Sequence, residues 1–118
     1  MDSDELLTLA RNSLEDLKAR DLRVLDVRSL TSVTDYLVIA SGTSDRHVRS
    51  LADKVIENAR DAGEKPLGVE GLDSGEWILI DLSDVIVHVM QPRVREFYKL
   101  EDLWVVGSDE ASIENTAS

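Results

Sequence analysis

Residues 35–41, DYLVIAS, form an almost unbroken apolar run, and no other feature restricts the fold of this chain more. A strand with one wet face alternates apolar and polar residues, whereas a strand covered on both faces reads as a continuous run. Such a strand needs partners in a sheet and further elements above and below it. Gly42 and Thr43 make the turn that follows, and Ser44 caps a helix. That helix carries a complete stripe of Val48, Leu51, Ala52, Val55, Ile56 and Ala59, and Gly63 is placed to end it in a left-handed conformation.

The elements around this unit follow from the same rules. Leu6, Ala10, Leu14 and Leu17 fall at helical spacing, which predicts a first helix running to about Arg20; Asp2 and Glu5 stand at the spacing of a capping box. Residues 22–30 alternate as a strand with one wetter face. A short extended piece is expected within residues 68–71. Strand-like residues 76–82 and 85–90 flank a tight turn at Ser83 and Asp84, and segments this close pair as an antiparallel hairpin. Pro92 suits the first turn of a last helix, which is expected to reach Trp104. The order is α-β-β-α-(β)-β-β-α, an α/β fold with a small mixed sheet flanked by helices. Residues 1–106 form a single domain, and the small, polar, acidic residues 107–118 are expected to be a disordered tail.

Composition removes several classes of function. The chain has 118 residues and no cysteine, so disulfides, thiolate nucleophiles and Cys-ligated metal are excluded. Its longest apolar runs are too short to span a bilayer, and an acidic N-terminus (Asp2, Asp4, Glu5) fits neither a signal nor a transit peptide, so a cytoplasmic location and no membrane contact are expected. With 13 Lys and Arg against 24 Asp and Glu, the net charge is −11. Free nucleic acid is repelled by such a field, while a basic protein partner is attracted to it. Arg93, Arg95 and Lys99 form the nearest thing to a basic patch, and Glu96, Glu101 and Asp102 interleave with them.

No chemistry-bearing constellation stands out. SGTSD at 41–45 follows a strand and opens a helix, a place where phosphate can bind and where nucleotidyltransferases carry a related turn. The strands that follow offer no Asp-x-Asp pair, and the plainer reading is a turn with an N-cap. An enzyme using SGTSD with Asp81 is the catalytic alternative. His47 and His88 lack partners at metal spacing; His47 reads as a solvated helix residue, and His88 as either a hydrogen-bonded sheet residue or part of a contact surface. No metal or other cofactor is implied. The aromatics concentrate in residues 70–104, where Trp77 shares a strand face with Asp81. Asp81 needs water or a partner there, such as Arg95 within the fold or a basic residue of a bound protein. Trp77, Tyr98 and Trp104 fit either core packing or an interface, in which aromatics beside Arg are enriched, and Phe97 with Tyr98 reads as an anchor of the last helix. An interaction module with an unrelated partner is a further alternative.

Four segments together resemble one family. DYLVIASGTSDRHVRSLAD (35–53), EG-x4-EW (70–77), D-x-x-DVIVHV (81–89) and R-x-FY-x-LE-x-LW (95–104) are similar, in this order and over about residues 4–105, to the ribosomal silencing factors, also called Iojap-like proteins. The resemblance implies a nucleotidyltransferase-like fold without catalytic carboxylates. It implies a non-enzymatic protein that binds ribosomal protein fourteen on the large subunit, blocks joining of the small subunit, and so lowers translation when nutrients are scarce. Carried over to this sequence, the contact residues are Trp77, Asp81, His88, Arg95, Tyr98, Glu101 and Trp104, with Glu70 as a further candidate. A homodimer is left open, since some relatives dimerise.

Overall fold

The structure is a computed structural model that describes residues 1–100 and Asp102. The elements are α1 (Ser3–Asp16), β1 (Arg20–Asp26), β2 (Tyr36–Ser41), α2 (Asp45–Asp61), β3 (Gly68–Glu70), β4 (Trp77–Asp81), β5 (Val85–Met90) and α3 (Pro92–Tyr98). Five strands form one sheet in the order β1-β2-β5-β4-β3. β2 and β5 run parallel and every other neighbouring pair is antiparallel, so the sheet is mixed, as expected.

The continuously apolar strand is β2, and all six of its residues are buried. On one side of the sheet Val38 and Ala40 join Ile78, Ile80, Val85, Val87 and Val89 under the apolar stripes of α1 and α2. On the other side Leu37 and Ile39 pack with Val27, Met90 and Val94, the last of these from α3. One helix layer is therefore complete, and among the described residues the other is formed by the seven-residue α3, with Leu100 packed beside it.

Helix ends follow capping chemistry. Asp2 accepts from the Glu5 amide at 2.8 Å and Glu5 accepts from the Asp2 amide at 2.9 Å, completing the capping box. Ser44 caps α2 through the His47 amide. Gly63, at φ 83°, follows the end of α2 with Glu64 N donating to Ala59 O. The same turn ends α1 without a glycine: Lys18 takes φ 61° and Ala19 N donates to Leu14 O. α1 therefore stops at Asp16 rather than near Arg20, and β1 occupies Arg20–Asp26 rather than residues 22–30. α3 likewise ends early, because Lys99 turns left-handed at φ 48° straight after Tyr98. The stretch of that helix expected beyond Asp102, the residues Glu101 and Trp104, and the tail at 107–118 lie outside the described residues. None of the described helices is long and apolar enough to cross a membrane.

Candidate docking surface

The β4–β5 hairpin sorts its side chains by strand pleat. Ile78 and Ile80 point into the core under α1 and α2, while Trp77, Leu79 and Asp81 share the opposite face and are half-buried. Glu70 is aligned with Leu79 and His88 with Leu79, so both lie on that same face. Four of the expected contact residues, Glu70, Trp77, Asp81 and His88, thus share one side of the sheet.

His88 is a sheet residue and not a surface one, being only 6% exposed. Its Nδ1 accepts a hydrogen bond from Trp77 Nε1 at 2.9 Å, a diagonal contact across the hairpin. The ring proton is therefore assigned to Nε2. Burial pushes the imidazole down to about 4, so it stays neutral at ordinary pH and keeps its acceptor. His88 acts on this surface by holding the indole.

α3 lays aromatic rings beside that indole. Pro92 opens the helix, as expected, and of its seven residues only Val94 is buried. The Tyr98 ring lies 5.0 Å from Trp77, and Phe97 meets Tyr98 edge-on at 4.9 Å. Phe97 is 77% exposed and Tyr98 53%, so neither anchors the helix in the core. Ser74, Glu76, Trp77, Arg93, Val94, Phe97 and Tyr98 surround an open hollow of about 430 Å³. Glu76 and Arg93 pair at 3.6 Å across its rim, both well exposed, a contact that contributes little to stability.

Arg95 goes elsewhere. Its Nη1 donates to Ser41 Oγ at 2.9 Å, at the end of β2 where Met90 and Trp77 also lie. Asp81 stands at the far end of β4, roughly 13 Å from Trp77 at about 3.3 Å per residue, so it does not pair with Arg95. Its Oδ1 instead accepts from the Ser83 amide at 2.8 Å and serves the hairpin turn. Arg95 lines a second cleft of about 650 Å³ with Arg23, Lys99, Asp21, Glu96 and Asp102.

The SGTSD turn is occupied by its own chain. Thr43 N donates to His47 Nδ1 at 2.9 Å, and His47 Nε2 donates to Leu17 O at 2.7 Å. His47 is thus a tie between this turn and the end of α1 rather than a solvated residue. Asp81 and SGTSD lie at opposite ends of the sheet, so the two halves of the catalytic alternative do not meet. Among the described residues no group of three or more His, Asp or Glu could hold a metal ion.

The family described as "Ribosomal silencing factor during starvation" matches residues 1–118. The chain belongs to that family. A ribosomal silencing factor of Chromobacterium violaceum is 44% identical over 104 residues, covering 88% of this chain and 85% of that one. The Haemophilus influenzae ribosomal silencing factor is 41% identical, covering 84% and 97%. A crystal structure of a Chromobacterium violaceum protein superposes with a TM-score of 0.87 at 40% identity, over 100% of this chain and 94% of that one. The mixed α/β fold is therefore that of the ribosomal silencing factors.

Phe97, Glu76 and Arg93 also line the hollow, a placement that their sequence context did not single out. Phe97 offered one signal, its place beside Tyr98 one residue before a helix end. That end was invisible, because Lys99 is an ordinary residue in a left-handed conformation.

Proposed function

We propose that this protein docks on large-subunit ribosomal protein fourteen through the surface formed by Trp77, Phe97 and Tyr98, and so prevents the small subunit from joining. The observation that carries the reading is the exposed aromatic cluster on a ribosomal silencing factor, set beside Arg93 and Glu76. Exposed aromatics and Arg at the centre of a patch are the usual anchors of protein interfaces. The net charge of −11 speeds encounter with a basic partner and disfavours free RNA. The mechanism is occlusion and needs no catalytic step: an interface of roughly 800 Å² per partner is enough to hold the protein in place. Such a factor acts in the cytoplasm and lowers translation when nutrients are scarce.

The test is sucrose-gradient sedimentation of purified ribosomal subunits. Large subunits pre-incubated with the protein are expected to join fewer small subunits than untreated ones. Undiminished joining at saturating protein contradicts the mechanism.

A further inference from the structure

The segment 35–53 has a part that the docking surface does not use: Asp45 and Arg49, one turn apart on α2. Both reach the loop of residues 71–76 between β3 and β4. Arg49 Nε donates to Leu72 O at 2.9 Å and its Nη2 to Asp73 O at 2.7 Å, so one planar guanidinium grips two successive carbonyls. Asp45 Oδ1 accepts from Gln91 Nε2 at 2.6 Å, and the same amide nitrogen donates to Gly75 O at 3.2 Å. Both protons of that amide are accounted for.

The loop is shaped to these supports. Gly75 is the only buried residue of the six and has φ 69°; a Cβ there sits 3.0 Å from Asp45 Cβ and 3.1 Å from Arg49 Cζ. Gly71, at φ 90°, lies flat on β4, where a Cβ comes 2.0 Å from Trp77 O. Leu72, Asp73, Ser74 and Glu76 are exposed, so the loop has no buried side chain of its own to hold it. Yet Ser74 and Glu76 form one wall of the hollow beside Trp77, Phe97 and Tyr98.

We propose that Asp45, Arg49 and Gln91 form a clamp that fixes the 71–76 loop as a wall of the docking surface, with Arg49 a positioning residue for partner binding. The proposal rests on the docking reading above, and it accounts for the EG-x4-EW spacing: five residues, 72–76, close a loop between a Gly stacked on the Trp77 carbonyl and the Trp itself.

Hydrogen–deuterium exchange and binding to purified large subunits, measured on the full chain, test it. In Arg49→Gln the amides of residues 72–76 are expected to exchange about tenfold faster, with β4 and β5 protected as before, and affinity to fall about tenfold. Arg49→Lys, which keeps the charge but cannot span two carbonyls, is expected to behave in the same way, and it carries the test if Arg49→Gln fails to fold. Unchanged loop exchange overturns the clamp. Faster loop exchange with wild-type affinity, in an assay where Trp77→Ala does weaken binding, overturns the role of the loop alone. Wild-type affinity in both Arg49→Gln and Trp77→Ala overturns the docking surface and the clamp with it. Raised exchange throughout the sheet also overturns the proposal, since Arg49 then acts on the whole fold.

Discussion

The two faces of the sheet use similar residues to different ends. On the α1–α2 face, Leu51, Val55, Ile78, Ile80 and Val87 are fully buried, and the two helix stripes cover the central strands β2, β5 and β4. On the α3 face the buried cluster is small, Val27, Leu37, Ile39, Met90 and Val94, and it is fringed by half-buried Leu25, Trp77, Ile86 and Leu100. Past that fringe Phe97 and Tyr98 face water. A face closed by two long helices serves stability. A face on which α3 leaves Phe97 and Tyr98 exposed offers aromatic area that a partner can bury.

Mutations should separate the faces. The largest effect is expected on the closed side: Leu51→Ala removes a fully buried side chain and should cost about 3–4 kcal/mol in urea unfolding, with no loss of large-subunit binding beyond the unfolded fraction. Next is the pH response of His88. The folded ring titrates near 4 and the unfolded one near 6.5, so the unfolded chain binds more protons between those values. The stability linked to His88 is complete above about 6.5 and is lost as pH falls toward 4, roughly 3 kcal/mol over the window. Urea midpoints of wild type and His88→Gln from pH 7 to 4 check this, and the variant should lose that part of the slope. The smallest effect belongs to the open side: Phe97→Ala should change stability by no more than about 0.5 kcal/mol, because a ring 77% exposed has little burial to lose. A large destabilisation there makes Phe97 a packing residue and removes the contrast.

Much of the fold was legible because burial leaves a periodic record. The unbroken apolar run of β2, the stripes of α1 and α2, the capping box at Asp2 and Glu5, and the hairpin turn at Ser83 all follow from local rules. Turns made by ordinary residues leave no such record. Lys18 and Lys99 adopt left-handed conformations that their side chains do not announce, and each ended a helix earlier than its apolar spacing suggested. The site was legible only as a region. Alternation placed Trp77 and Asp81 on one face, but the Trp77–His88 bond depends on hairpin register, and the Arg95–Ser41 bond on how β2 meets α3. His47 and Arg49 each bond to carbonyls at least 23 residues away in sequence, beyond the reach of any local pattern.

The central claim is that the aromatic face binds and the helical face supports. The measurement that tests it most directly is the affinity of Trp77→Ala and Tyr98→Ala for purified large ribosomal subunits, alongside their urea midpoints. The account predicts that each loses about 1–3 kcal/mol of binding while remaining folded. Wild-type affinity in a well-folded double variant contradicts it.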